Sequence, residues 1–261
     1  MRRLNLWAWF WVTLGMLYFF VPLLATLEFS LRKIRDVYSL AAFESVMQDP
    51  RFFLNFRYSV QWALITMALS LLLVVPTTYW VHLRLPRIRP LVEFTTLMPF
   101  VVPAVVLVFG LIRLYNRPPL SLGRVPAVLL IGGYVVLSLP YMFRAVDTGL
   151  RAIDVRTLTE AAQSLGASWF TILTRVIFPN LRVAILSGAF LTFAIVMGEF
   201  TFASLLGLPA FAVYMEDRGN KVAYEAAAMA LISFGLTWLS IGIMQWVGRG
   251  APDQAQVVGA H

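Results

Sequence analysis

The sequence contains no cysteine, only two lysines and two histidines in 261 residues, and charged side chains make up just 13% of it. Without cysteine there are no disulfides and no thiolate metal sites, and the redox compartment is left undetermined. The lysines, Lys33 and Lys221, do not sit in a G-x-x-x-x-G-K-[ST] phosphate loop, so the chain carries no nucleotide site of that kind. His82 lies in a basic turn and His261 in the tail, and neither H-E-x-x-H nor G-x-S-x-G occurs. Nothing therefore points to an enzyme, and His82 is read as facing lipid headgroups rather than as a ligand.

What is abundant is apolar surface. Hydrophobic residues make up 60% of the chain and the mean hydropathy is +0.78, more than a soluble core of this length would bury. A membrane-spanning helix needs about 20 mostly apolar residues. Six windows qualify: Leu6 to Leu27, Ser59 to Val81, Leu91 to Ile112, Val125 to Met142, Val183 to Leu206 and Val222 to Val247. Runs this long favour helices over the short alternating strands of a barrel. The expected fold is an all-α membrane protein with six transmembrane helices, read as one domain over residues 1–261 with a loosely ordered tail at 251–261.

Pro22, Pro76, Pro99, Pro103 and Pro140 interrupt the spans, and each removes a backbone donor and favours a kink. Ala194 and Gly198, four apart, permit close helix approach. Arg2 and Arg3 precede the first apolar run as in a secretory signal, but the run exceeds an h-region of about 7–15 residues and no A-x-A site follows, so it reads as a retained anchor. Trp7, Trp9 and Trp11 are read as interfacial anchors.

Six crossings put both termini on one side. With the amino terminus cytoplasmic, the inner segments hold eleven Lys or Arg and the outer ones ten, so counting alone does not orient the chain. Placement decides it. Arg2 and Arg3 abut the first span and Arg84, Arg87 and Arg89 form an acid-free turn, whereas the segment from Glu28 to Tyr58 mixes five basic residues with Glu28, Asp36, Glu44 and Asp49. Both termini are accordingly expected in the cytoplasm. The net charge of +8 suits an anionic membrane surface and gives no reason to invoke nucleic acid.

The long polar segment between the fourth and fifth spans, about residues 143–182, carries the most information. Asp154 is placed to cap a helix in which Val155, Leu158, Ala162 and Leu165 recur at steps of three and four and share an apolar face, with Arg156, Thr159, Glu160 and Gln163 off it. Gly166 ends that helix where a left-handed residue is needed. Ser168 starts a second helix whose Trp169, Ile172, Leu173, Val176 and Ile177 share a face until Pro179. Two readings stand for this helix, tight turn and helix. It is a docking surface for a second protein, or an interfacial hairpin packed on its own bundle with Glu160 paired to Arg156 one turn back.

The order Glu160-Ala161-Ala162, three residues, Gly166, nine residues, then Val176-Ile177-Phe178-Pro179 resembles the EAA loop of permease subunits in binding-protein-dependent ABC importers. That pattern usually ends Ile-x-Leu-Pro, so Val176 and Phe178 depart from it while staying apolar. Leu150 to Asp154, Leu165-Gly166-Ala167 and Leu97 to Pro103 are similar to the same family, and the likeness runs from the second span through the sixth. The usual Asn-Ser before the second span is replaced by Asn55-Phe56-Arg57-Tyr58-Ser59.

The resemblance implies a type I importer permease fold in the inner membrane, with Glu160, Ala161, Ala162, Leu165, Gly166 and Pro179 in a cytoplasmic coupling helix that inserts into a separate ATP-binding subunit. It implies a second, different permease subunit, two ATP-binding subunits and an external solute-binding protein. ATP and Mg belong to the ATPase, and this chain binds no cofactor. Leu97 to Pro103 and Ser138 to Arg144 look most like the spermidine and putrescine importers, while Gly198-Glu199-Phe200 is also similar to relatives that move iron, thiamine, phosphonates or oxyanions.

For the solute pathway the residues singled out are Glu199, Tyr134, Thr192 and Trp238, followed by Tyr115, Asn116, Ser138, Ser204 and Thr237. Glu199 is the one acid well inside a span, roughly 26 Å along its helix from Arg182 at about 1.5 Å per residue. An unpaired acid there costs at least about 2.5–3.5 kcal/mol, so it requires a cavity or a partner. Its alternatives are contact with a cationic solute, a place lining the outward-facing vestibule, a pair with Arg113, or the cap of a broken helix near the second permease. An ATP-independent secondary transporter and a membrane scaffold are the other classes compatible with the composition. A lone acid fits the former poorly, since paired midplane ions or inverted repeats are its signature.

Overall fold

A computed structural model describes residues 6–34, 37–115 and 126–248. Among the described residues the chain is helical, its only β feature being an isolated bridge between Ile34 and Val37. Asn116, Val125 as the start of a span and the tail at 251–261 lie outside the described residues.

Three helices are each long and apolar enough to cross a bilayer. They are α1 (Leu6–Leu31), α3 (Pro50–Arg84) and α6 (Pro126–Arg151). A short α2 (Ala41–Gln48) links the first two. The third expected span is not one rod: α4 (Arg89–Leu97) passes through the 3₁₀ turn Met98–Phe100 into α5 (Ala104–Tyr115) with a bend of 101°. Pro99 lies in that turn and Pro103 directly before α5, where neither is required to donate an intrahelical hydrogen bond. Pro22, Pro76 and Pro140, by contrast, sit inside continuous helices, so sequence alone overstates them as interruptions.

After α6 come α7 (Val155–Ser164) and the arm Trp169–Asn180, which consists of α8 (Trp169–Thr171), a π-helical turn (Ile172–Ile177) and α9 (Phe178–Asn180). The chain then bends by 80° into α10 (Arg182–Gly198). The fifth span, expected to run to Leu206, breaks at Glu199 and Phe200 before the short α11 (Thr201–Leu205). Helix α12 (Phe211–Gly219) precedes α13 (Ala223–Gly248), which corresponds to the sixth window.

Helices α3, α6 and α10 pack together as the centre of the bundle, while α1 lies outside on α13. Trp7, Trp9 and Trp11 on α1 are exposed, as a lipid-facing helix allows. Three buried clusters are stacked along the bundle. One joins Val75, Tyr79, Met142, Val146, Ile185 and the hairpin; the next holds Ala63, Leu130, Tyr134, Val196 and Phe202; the last holds Val46, Phe52, Phe211, Tyr214 and Met229. Because α3 is 35 residues long, or roughly 50 Å at 1.5 Å per residue, it connects the first cluster, at the hairpin end, to the last, at the far end. Close approach in the centre is made at Gly188, where an added Cβ would lie 2.8 Å from Met142 Sδ and 3.3 Å from Met142 Cα. Gly198, expected in that role with Ala194, has no neighbour within 4 Å of an added Cβ.

The far end is tied by buried ions. The Glu225 carboxylate meets Lys33 Nζ at 2.8 Å and the Arg218 guanidinium at 2.5 Å, joining the segment after α1 to α12 and α13. Asp49 caps α3 by accepting from the Arg51 amide at 2.9 Å and from the Tyr214 hydroxyl at 2.9 Å. Ser59 Oγ accepts from the Phe211 amide at 2.7 Å.

Candidate functional site

The hairpin is built from local rules. Asp154 accepts from the Thr157 amide at 3.1 Å and from its hydroxyl at 2.7 Å, and these hydrogen bonds hold the carboxyl below the usual carboxylate range. Helix α7 ends at Gly166, where φ is +79°. The Gly166 amide donates to the Gln163 carbonyl at 2.8 Å and the Ala167 amide to the Ala162 carbonyl at 3.0 Å. These two bonds are the Schellman arrangement, which needs a left-handed residue at this point and so favours glycine. Ser168 Oγ then accepts from the Thr171 amide at 3.3 Å and starts the second arm.

Packing departs from the expected apolar face. Val155 and Ala162 are buried and Leu158 is half-buried, but Leu165 is 89% exposed at the tip and Thr159 is 1% exposed. Thr159 is inside because its hydroxyl is satisfied there. It donates to the Val155 carbonyl at 2.6 Å, so the 2.9 Å bond to Tyr79 on α3 has the tyrosine hydroxyl as donor. In the second arm Ile172 and Ile177 are both fully buried although five residues apart, because the π turn between them brings that spacing onto one face. Trp169 lies against α3, its ring 5.0 Å from Trp80 and beneath the Arg84 guanidinium at 5.6 Å. Phe170 projects outward at 77% exposure.

Glu160, Ala161 and Gly166 are exposed and lie with Leu165 on the free side of the turn, whereas Ala162 packs inward and exposed Pro179 lies at the foot of the second arm. Glu160 accepts from Arg156 Nε at 2.8 Å. Both side chains are well exposed, so this pair adds little to stability.

A second cluster at the same end was not anticipated. Asp147 on α6, 6% exposed, accepts from Arg89 at 3.1 and 3.0 Å and from Arg151 at 2.8 Å. His82 Nε2 stands 3.4 Å from the same carboxylate, with Nδ1 donating to the Thr78 carbonyl at 3.0 Å. His82 is thus largely buried beside Asp147 instead of facing lipid headgroups. The available signal was an acid between Arg144 and Arg151 at the end of a mostly apolar helix; the approach of α4 that delivers Arg89 has no local signature.

Within the bundle, Glu199 leaves the helical conformation and its two carboxylate oxygens accept from the Thr201 and Phe202 amides, each at 2.9 Å. Of the structural alternatives for this acid, the structure displays the helix cap and not the pair with Arg113. The buried Tyr134 hydroxyl lies beside this carboxylate but outside ordinary hydrogen-bond geometry. Thr192, fully buried on α10, likewise has no partner for its hydroxyl among the described residues. Ser138 is hydrogen-bonded to Ser70 at 2.8 Å. Trp238 does not join this group: it is 54% exposed and packs on Phe234. Thr237 instead lines an apolar cavity of about 530 Å³ between α3, α10, α12 and α13, together with Phe56, Phe190, Ala194, Gly198 and Phe211. No group of three or more His, Cys, Asp or Glu among the described residues is arranged to hold a metal ion.

Comparison with known proteins places this architecture. Residues 86–251 match the family described as binding-protein-dependent transport system inner membrane component. The spermidine/putrescine transport system permease protein PotB of Escherichia coli (strain K12) is 28% identical over 190 residues, 67% of this chain and 68% of that protein. The corresponding PotC of the same organism is 30% identical over 127 residues, 49% of this chain and 47% of that protein. Among solved structures, a bacterial ABC transporter involved in the import of the acidic polysaccharide alginate superposes with a TM-score of 0.61 at 13% identity, covering 93% of this chain and 95% of that one. That likeness is one of fold, and with the family match over most of the chain it leads to one assignment. The chain belongs to the inner membrane components of binding-protein-dependent transport systems, as a multi-pass permease subunit.

Proposed function

We propose that this permease imports polyamines of the spermidine and putrescine type, working as a single membrane domain that provides half of a solute pathway. A second, different permease provides the other half, two ATP-binding subunits supply the energy, and an extracytoplasmic binding protein delivers the solute. ATP and Mg act on the ATPase, and this chain takes no part in hydrolysis. The polyamine assignment is supported by the names of the PotB and PotC relatives.

The hairpin end faces the cytoplasm in this reading, together with both termini. The observation that carries the coupling role is the exposure of Leu165, Ala161 and Glu160 around the Gly166 turn. Leu165 is joined on the far side of the turn by exposed Phe170, and several exposed apolar side chains on one small polar-rimmed element suit an interaction site better than a single one does. Glu160, Ala161, Ala162, Leu165, Gly166 and Pro179 form or support that docking element. On the pathway side we assign Tyr134, Thr192 and Glu199, with Glu199 shaping the break in the fifth span that borders the cavity, and Trp238 as a separate contribution from the exposed face of α13.

The test is reconstitution in proteoliposomes with the candidate ATPase, second permease and binding protein. Uptake of labelled spermidine or putrescine is expected, requiring ATP and the binding protein, and Leu165→Ser is expected to lower it. Uptake that proceeds without ATP, or ATPase activity that does not respond to loaded binding protein, overturns the proposal.

A further inference from the structure

The hairpin is continuous in sequence with α6 and α10, yet its most specific side-chain bonds are to neither. They are to α3, which is 80 residues distant in sequence at the Tyr79 to Thr159 bond. Both arms are held. Tyr79 donates to Thr159 of the first arm at 2.9 Å, while Trp80 packs on Trp169 of the second arm at 5.0 Å and Arg84 covers the other part of that ring. Tyr79 is 2% exposed and Thr159 1%, so the bond is shielded from water and from lipid headgroups. Separating the pair leaves a buried hydroxyl without a donor and a phenol without an acceptor, and that cost is carried by the whole element.

Helix α3 is continuous from this clasp to the far end, where Asp49 and Ser59 bind α12 through the Tyr214 hydroxyl and the Phe211 amide. A helix that stays continuous through Pro76 and is gripped at both ends links displacement at one end to the other. We propose that Tyr79 and Thr159 are positioning residues that make the hairpin and α3 move as one body, so that α3 carries motion at the hairpin to α12 on the opposite side of the membrane. This rests on the proposed coupling role of the hairpin and goes beyond it by naming the helix that receives the motion and the bond that joins them.

The experiment uses the assembled transporter in proteoliposomes and reads solute taken up per ATP hydrolysed. Tyr79→Phe and Thr159→Val keep shape and remove one hydroxyl each. Each is expected to lower uptake per ATP by roughly fivefold, the factor that one net hydrogen bond represents. The double variant is expected to be no worse than either single one, since the two side chains share one bond. Because the chain has no cysteine, a Tyr79→Cys, Thr159→Cys variant is addressable by thiol reagents, and joining the two positions with a bifunctional reagent is expected to restore the ratio. Unchanged ratios in both single variants, additive losses in the double, or loss of uptake on joining the positions overturns the clasp while leaving the hairpin's docking role standing. A parental complex without ATP-driven uptake overturns the coupling role and the clasp with it.

Discussion

The guanidinium of Arg89 reaches both oxygens of Asp147, at 3.1 and 3.0 Å, and so fastens the first residue of α4 to the C-terminal end of α6. With Arg151 and His82 on the same carboxylate, one acid faces three basic groups at the hairpin end. Removing this buried acid leaves the half-buried Arg89 guanidinium without its counter-charge, and this costs more than losing an exposed pair does.

Asp147→Asn is accordingly expected to lose about 1.5–3 kcal/mol of stability, because Arg89 and Arg151 keep part of their hydration. Thermal unfolding of the purified chain in detergent checks it, with Glu160→Gln as a control. That change breaks only the exposed Arg156 pair and is expected to cost less than about 1 kcal/mol. Equal losses in the two variants contradict the burial argument.

At the turn, Gly166→Val places a β-branched residue at φ +79°, a penalty of about 1–2 kcal/mol. Nothing lies within 4 Å of the Cβ position, so the effect is one of backbone and not of crowding. Membrane insertion is expected to be unchanged and retention of the partner ATPase on an affinity column to fall. Gly166→Asn is expected to do less harm, since asparagine tolerates the left-handed region better. Equal retention by all three forms counts against it.

Glu160→Lys replaces the Arg156 pair with like charges one turn apart on the exposed side of α7. Weaker ATPase retention or lower uptake per ATP is expected, with the melting temperature within about 2 °C of the parent because exposed pairs contribute little. A parental uptake ratio would remove Glu160 from the docking surface.

Burial and the hydrogen bond to Asp49 push the Tyr214 phenol up to about 12 from 10.0. A folded pKa above the unfolded one means that stability is fully present below about 10 and is lost as pH rises toward about 12. Alkaline unfolding curves of the parent and of Tyr214→Phe are therefore expected to converge across that interval, with the phenylalanine variant showing the shallower decline. Parallel curves contradict the assignment.

Glu199 shows where reading the chain stopped short. Its isolation in an apolar run made a special role legible, and capping was among the alternatives, but the choice needed the break after Gly198 and the positions of two amides. Thr159 shows the same limit from the other side. Polarity placed it outside, and only the arrival of Tyr79 from a distant helix gave its hydroxyl a partner that made burial affordable.

Sequence alone determined the membrane character, the three unbroken spans α1, α3 and α6, and both ends of α7. Hydropathy and caps act within a few residues: Asp154, Gly166 and Ser168 shape the backbone beside them whatever lies across the bundle. The tertiary structure decided the bend at Pro99 and Pro103, the exposure of Leu165, the Asp147 cluster and the attachment of the hairpin to α3. Each depends on which helix face meets which, and apolar spans give many near-equivalent faces until a few buried polar bonds select one.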